Sequence, residues 1–285
     1  MLTIKSRVGS YYSPGTMKIV KFPAGETLLQ ISSLITNARN MISTIEEVEV
    51  EIELLFESND DLINLALLVD AVNEWFKLEN YKPRIVLNIP YFPYARQDRV
   101  CNPGESHSMR VIAKIINSLN FSKVKVFDPH SDVVEALINN VVIETPLEAL
   151  TDILYNQPVG TVILVSPDAG AHKKVQKLAK SFGLGIIHSD KERDVATGAI
   201  TGARVDSPHV GDKNLMIVDD ICDGGMTFLN LVPELRKITS GKVFLFVSHG
   251  IFSKGLDALG GAFDVIYTRN NMSGLSHPKL KVINA

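Results

Sequence analysis

Short runs of β-branched and apolar residues, each ending in polar residues or glycine, recur along this chain with helical stretches between them. Arg84-Ile85-Val86-Leu87-Asn88-Ile89-Pro90 is one such run. Val124-Lys125-Val126-Phe127 leads into Asp128-Pro129-His130-Ser131, and Thr161-Val162-Ile163-Leu164-Val165 into Ser166-Pro167-Asp168-Ala169-Gly170. Leu215-Met216-Ile217-Val218 leads into Asp219-Asp220, and Lys242-Val243-Phe244-Leu245-Phe246-Val247 into Ser248-His249-Gly250. Helices are expected over 62–77, capped by Ser58, Asn59 or Asp60, and over 172–182 and 228–238. Strands alternating with helices predict an α/β fold with parallel sheets. Strands that are apolar throughout, rather than at every second residue, fit sheets covered on both faces. The polar stretch 145–158 is the expected boundary between two such units, residues 1–148 and 149–285.

Composition narrows the function classes. The chain has 285 residues, with 29 Lys and Arg against 32 Asp and Glu, a formal net charge of −3. That balance offers no electrostatic footprint for nucleic acid or an anionic membrane, so neither is expected as a partner. No run approaches the ~18 apolar residues of a spanning helix. The first residues, Met1-Leu2-Thr3-Ile4-Lys5-Ser6-Arg7, lack the apolar core of a signal peptide. Cys101 and Cys222 form no Cys-x-x-Cys pair, which argues against a disulfide scaffold or a cysteine zinc site. A reducing, cytoplasmic setting is the expectation.

In open parallel sheets ligands bind beyond the carboxyl ends of the strands. Here those ends carry Arg96-Gln97-Asp98-Arg99, Asp128 and His130, Asp168, and Asp219 with Asp220. The sharpest element is Val218-Asp219-Asp220-Ile221-Cys222-Asp223-Gly224-Gly225-Met226-Thr227. It reads as a buried strand, two carboxylates, a glycine turn and a helix start. Peptide N–H groups at that start, with the Thr227 hydroxyl, make a phosphate cradle. The carboxylates can accept hydrogen bonds from two vicinal sugar hydroxyls. A plain acidic turn capping a helix explains less of this order. Gly183-Leu184-Gly185 half-matches a dinucleotide fingerprint but follows a helix instead of a strand, so a helix C-cap is the better reading. There is no Gly-x4-Gly-Lys-Ser/Thr phosphate loop, and Trp75 reads as core.

The 218–227 motif resembles the ribose-phosphate loop of type I phosphoribosyltransferases. Pro90-Tyr91-Phe92-Pro93-Tyr94-Ala95-Arg96-Gln97-Asp98-Arg99 is similar to the ATP-binding signature of the ribose-phosphate diphosphokinases, the PRPP synthetases. Asp128-Pro129-His130-Ser131, Val165-Ser166-Pro167-Asp168-Ala169-Gly170 and Asp190-Lys191-Glu192-Arg193 resemble further segments of that family, in family order. The resemblance implies two Rossmann-like, phosphoribosyltransferase-like units. It implies an enzyme moving diphosphate from ATP to the C1 hydroxyl of a ribose phosphate, with Mg²⁺ as cofactor and AMP released. On it, Lys191, Arg193 and His130 are catalytic, and Arg96, Gln97, Asp98 and Arg99 hold ATP, with a surface salt bridge to Asp98 the alternative for Arg99. His130 and Asp168 serve Mg²⁺. Asp168, Asp219, Asp220, Asp223, Gly224, Gly225, Met226 and Thr227 hold the ribose phosphate. Phe22-Pro23-Ala24-Gly25-Glu26 resembles the segment by which Phe22 and Glu26 would reach ATP in a neighbouring subunit, implying a homo-oligomer, dimer or hexamer, with shared sites.

The chain departs from the family at that loop, which usually reads Asp-Thr-Ala/Gly-Gly-Thr. Gly224 lacks a hydroxyl, Met226 replaces a small residue, and the segment 100–105 is less basic than usual. The expectation from these changes is an altered site around the acceptor's 5′-phosphate, with ADP-ribose as an alternative acceptor. A non-catalytic regulatory relative and a nucleobase phosphoribosyltransferase are the other classes. The first conflicts with retention of Lys191, Arg193, His130 and the aspartates, the second with residues 96–99 and His130.

Overall fold

The computed structural model describes residues 1–8, 11–32, 48–77, 80–158, 160–193 and 200–283, and the chain divides into two compact units, Met1–Glu144 and Thr145–Ala285. In the first, β1 (Leu2–Val8), β2 (Tyr11–Pro14), β5 (Val48–Leu54), β6 (Arg84–Ile89), β7 (Lys123–Phe127) and β8 (Val141–Glu144) form one sheet in the order β2-β1-β5-β6-β7-β8. Strands β5 to β8 are parallel, while β1 runs antiparallel to both β5 and β2. A separate hairpin joins β3 (Met17–Lys21) and β4 (Thr27–Ile31). The crossovers carry α1 (Asp60–Lys77), α2 (Ser108–Ser118) and α3 (Val133–Leu137). Helix α1 begins two residues before the expected start.

The expectation of a sheet with two apolar faces fails in this unit. Strand β5 alternates: Val48, Val50, Ile52 and Leu54 are buried in one cluster with Leu65, Leu68 and Phe76 of α1. Its other face carries Glu49, Glu51 and Glu53. Lys5 and Lys125 lie 3.2 and 3.8 Å from Glu51, Arg7 lies 4.0 Å from Glu49, and the Asn88 amide donates to Glu53 at 3.0 Å. Cross-strand ion pairs, each worth ~0.2–1 kcal/mol, take the place of apolar packing there. Trp75 is half-buried and packs against the apolar cluster.

The second unit meets the expectation. Strands β9 (Val162–Ser166), β10 (Gly185–Arg193), β11 (Ile200–Val205), β12 (Asn214–Cys222), β13 (Val243–Gly250), β14 (Val265–Asn271) and β15 (Leu280–Val282) form a sheet in the order β11-β10-β9-β12-β13-β14-β15. All neighbours are parallel except β10 and β11. Every residue of β13 is buried. Val243, Leu245 and Val247 pack with Phe228, Leu231 and Leu235 of α6 (Met226–Ile238). Phe244 and Phe246 pack with Leu150 and Ile153 of α4 (Leu147–Tyr155) and Val175 and Leu178 of α5 (His172–Phe182). Period-two alternation of apolar side chains thus feeds two cores on opposite faces. Helix α5 ends at Gly183 in the left-handed region (φ 63°), where its N–H and that of Leu184 bond back to the last turn; the helix C-cap read from the sequence is what forms. A final short helix, α7 (Asp257–Ala262), lies between β13 and β14.

Topology places the functional end of this sheet. From β9 the chain crosses through α5 to β10 on one side; from β12 it crosses through α6 to β13 on the other. Adjacent strands β9 and β12 therefore form a switch point, the place where open α/β sheets bind ligands.

Candidate active site

Two groups of residues, one in each unit, carry the predicted chemistry. In the N-terminal unit β6 ends at Ile89, and Phe92, Pro93 and Ala95 turn into the core. Tyr94 takes a left-handed conformation (φ 59°), its hydroxyl donating to Asn59 at 2.6 Å and its ring meeting Phe56 edge-on. With alternate residues anchored, Arg96 and Gln97 are left at the surface. Gln97 is held through its backbone, its N–H bonding to Tyr94 and its carbonyl accepting from Met109.

Asp98 has a different place. Arg99 grips it with two bonds, Nε to Oδ1 at 2.8 Å and a terminal guanidinium nitrogen to Oδ2 at 3.1 Å, and the Ser131 hydroxyl donates to Oδ2 at 2.8 Å. The Arg99 bond is the main reason its carboxyl falls to about 2. The Asp98 carbonyl also meets Nε2 of His107. Asp98 therefore ties the Arg96–Gln97 turn to the segment bearing His130, which is exposed beyond β7. His107, the residue before α2, was not anticipated; nothing in its spacing marks it, because its partner is a backbone carbonyl.

The β3–β4 hairpin turns through Pro23, Ala24 and Gly25, with φ 89° at Gly25 and the Phe22 N–H bonded to the Glu26 carbonyl. Phe22 is 47% exposed at its tip, and Leu28 is 51% exposed.

In the C-terminal unit, the loop after β9 brings Asp168 to the switch point. Its carboxylate accepts the Ala171 N–H at 3.2 Å, and its carbonyl accepts the Ser166 hydroxyl. Gly170 stands against that carboxylate: a Cβ there would lie 3.3 Å from Oδ1. Strand β12 does not end at Val218, as the sequence suggested, but runs on to Cys222. Asp219 and Asp220 are consequently inside the strand, still paired to β13 on either side of them. Asp219 accepts the Asp220 N–H and Asp220 accepts the Ile221 N–H, each at 2.9 Å. Burial first, and the Asp220 charge second, push the Asp219 carboxyl well up. Burial likewise drives the Cys222 thiol to about 12, so it is not a nucleophile.

The glycine turn follows. Gly225 caps α6 with φ 79°, and a Cβ there would lie 3.0 Å from Leu259 Cδ2, so both conformation and space call for glycine. Helix α6 begins at Met226, two residues earlier than expected. Phe228 and Leu229 donate to the Gly225 carbonyl. The N–H groups of Gly224, Gly225, Met226 and Thr227 have no partner among the described residues, the donor set a helix start offers an anion. Met226 is 61% exposed. Its side chain is therefore not part of the packing behind the turn.

Lys191 and Arg193 lie on β10, Lys191 opposite Ala203 of β11 and Arg193 opposite Ile200. Their side chains lie outside the described residues. Asp190 is exposed. Among the described residues no three His, Cys, Asp or Glu side chains cluster to hold a metal unaided. The donors on offer, single carboxylates and one imidazole at strand ends, suit Mg²⁺ carried in on a nucleotide, because that ion keeps its waters and takes few protein ligands.

A family model for the N-terminal domain of ribose phosphate pyrophosphokinase matches residues 3–119. The ribose-phosphate pyrophosphokinase of Pyrococcus abyssi is 31% identical over 244 residues, covering 84% of this chain and 78% of the relative. The chain belongs to the ribose-phosphate pyrophosphokinase family. The Pyrococcus furiosus ribose-phosphate pyrophosphokinase is 29% identical over 260 residues, covering 90% of this chain and 86% of its own length. The fold agrees: phosphoribosylpyrophosphate synthetase from Mycobacterium smegmatis superposes with a TM-score of 0.75 at 21% identity, covering 95% of this chain and 86% of that one. Among the described residues no helix is long and apolar enough to cross a membrane.

Proposed function

We propose that this family member transfers the diphosphate of ATP to the C1 hydroxyl of ribose 5-phosphate, releasing AMP. The observation that carries the reading is the switch point of the C-terminal unit. There the carboxylates of Asp219, partly buried, and Asp220, buried, run on β12 into a glycine turn with four N–H donors that have no partner among the described residues. A sugar phosphate meets both halves of that chemistry, its vicinal hydroxyls donating to Asp219 and Asp220 and its 5′-phosphate accepting from residues 224–227. Asp223 belongs to the same turn.

The nucleotide falls to the N-terminal unit, with Arg96 and Gln97 presented at the surface and Asp98 and Arg99 as their clamp. Lys191 and Arg193, one residue apart on an extended strand, would hold the transferring phosphates. Phosphoryl transfer of this kind depends on positioning and charge stabilisation. The C1 hydroxyl gives up its proton to solvent as its oxygen bonds to the β-phosphorus, the bond from that phosphorus to the α,β-bridging oxygen breaks, and AMP leaves with the electron pair. His130 and Asp168 would hold or orient Mg²⁺, which when bound neutralises phosphate charge. The exposed Phe22 at the hairpin tip, with the exposed Leu28 on β4 of the same hairpin, supports an assembly in which Phe22 and Glu26 reach a neighbouring copy's nucleotide. The cellular setting we infer is the cytoplasm.

The test is AMP release from ATP and Mg²⁺ with ribose 5-phosphate, the product mass recorded. AMP with a ribose 1-diphosphate product is expected. AMP formed only with ADP-ribose would redirect the acceptor, and none with either would favour a non-catalytic role.

A further inference from the structure

The segment after β13 is sewn to the glycine turn. Ile251 and Phe252 donate to the Cys222 carbonyl at 2.9 and 3.1 Å, and the Ser253 N–H donates to the Asp223 carbonyl at 3.2 Å. The Ser253 hydroxyl donates to Asp223 Oδ1 at 2.5 Å. A tight turn closes behind it, with the Gly255 N–H on the Phe252 carbonyl and left-handed φ values of 48° at Phe252 and 79° at Gly255. These bonds fix the backbone of Lys254 beside the turn that bears the unpaired N–H groups.

The Lys254 stem lies over Gly224: a Cβ built at Gly224 would be 3.3 Å from Lys254 Cγ and 4.0 Å from Ser253 Oγ. Gly224 is not in the left-handed region, so its backbone alone would admit any residue. A Cβ there would crowd the lysine stem, which would have to give by a few tenths of an ångström. Lys254 itself is exposed and makes no hydrogen bond or ion pair with the described residues. Asp223, the carboxylate of the turn, accepts the Ser253 hydroxyl. A lysine whose stem lies against the cradle, its ammonium without a partner among the described residues, can supply the positive charge that peptide N–H groups lack.

We propose that Lys254 is the specificity-determining cation of the acceptor site, selecting a terminal, doubly charged 5′-phosphate on the ribose. A ribose whose 5′-phosphate is esterified onward, as in ADP-ribose, presents one charge fewer at that oxygen cluster and gains less from the lysine. This rests on the reading of the loop as the ribose-phosphate site, and it gives the absence of a side chain at Gly224 a role, which is to leave room for the lysine stem.

Two measurements separate the proposal from the reading beneath it. Calorimetric binding of ribose 5-phosphate to the full chain is compared for the parent, Lys254→Ala and Lys254→Arg. Binding is expected to weaken at least tenfold in the alanine variant and to be largely restored by arginine. Steady-state AMP release then gives the ratio of kcat/KM for ribose 5-phosphate over unphosphorylated ribose, which should fall at least tenfold in Lys254→Ala with KM for ATP unmoved. Gly224→Thr, which displaces the stem without removing the charge, should lower the ratio by only a few fold. Unchanged binding in Lys254→Ala, or an equal loss on ribose and ribose 5-phosphate, overturns the proposal. Parent protein that binds ribose 5-phosphate in a Lys254-dependent way yet releases no AMP upholds Lys254 and sinks the transfer reaction. Parent protein that binds no ribose 5-phosphate overturns both.

Discussion

Desolvation and the adjacent Asp220 charge hold the Asp219 carboxyl well above the usual carboxylate range. The consequence for stability has a definite sign. The unfolded chain ionises this group near its ordinary value of about 4, while the folded chain keeps its proton to higher pH. Between those points the native state binds more protons, so stability falls as pH rises, and the penalty is present at neutral pH. Asp219→Asn is therefore expected to raise the melting temperature by a few degrees at pH 7. The gain should disappear below pH ~4, where the unfolded group is protonated as well. Calorimetric scans at the two pH values check it. The same variant should lose at least tenfold in kcat/KM for the sugar phosphate if, as proposed, Asp219 accepts a hydrogen bond from a ribose hydroxyl. Seen from the sequence, Asp219-Asp220 was legible as a candidate site because strand, paired carboxylates, glycine turn and helix start follow in order, an arrangement that the two carboxylates alone would not have marked. Their position inside β12 was not, because strand length is decided by the pairing of Ile221 and Cys222 with His249 and Gly250.

Among the elements, the turn after β6 depends on Asp98 more than on any residue that would touch the nucleotide. Asp98 joins Arg99, Ser131 and the His107 ring, and so connects the end of β6 to the end of β7. Its depressed pKa, about 2, means that its stabilisation is complete above pH ~4 and is lost as pH falls toward 2. Asp98→Ala is expected to raise KM for ATP about tenfold, the scale of one lost positioning interaction. KM for ribose 5-phosphate should stay within twofold. If Asp98 instead touched the nucleotide itself, Asp98→Asn would restore nothing; as a clamp, it should recover part of the loss through the Ser131 bond. The residues of this turn were readable from their order along the chain, as was the option of an Asp98–Arg99 ion pair; its bidentate geometry and the Ser131 bond came only from the fold.

For the whole chain, each apolar cluster belongs to one unit. One draws on residues of the N-terminal unit only, the other two on residues of the C-terminal unit only. A fragment 145–285 is accordingly expected to fold by itself, shown by a cooperative thermal transition in circular dichroism and by retained ribose 5-phosphate binding. A non-cooperative melt would mean that residues 1–144 complete its core. The alternating strand-and-helix pattern, the two-faced apolar strands of the C-terminal unit and the order of the polar strand ends were all determined by the sequence alone, because each is set by local periodicity and hydrophobicity. The direction of the chain at each crossover was not, and it is this that places Asp168 and the 223–227 turn at one switch point. Nor did the sequence join Lys254 to Gly224, which lie 30 residues apart with β13 between them. Local physics is written into neighbouring residues; the contacts that choose a substrate are made between residues that only the folded sheet brings together.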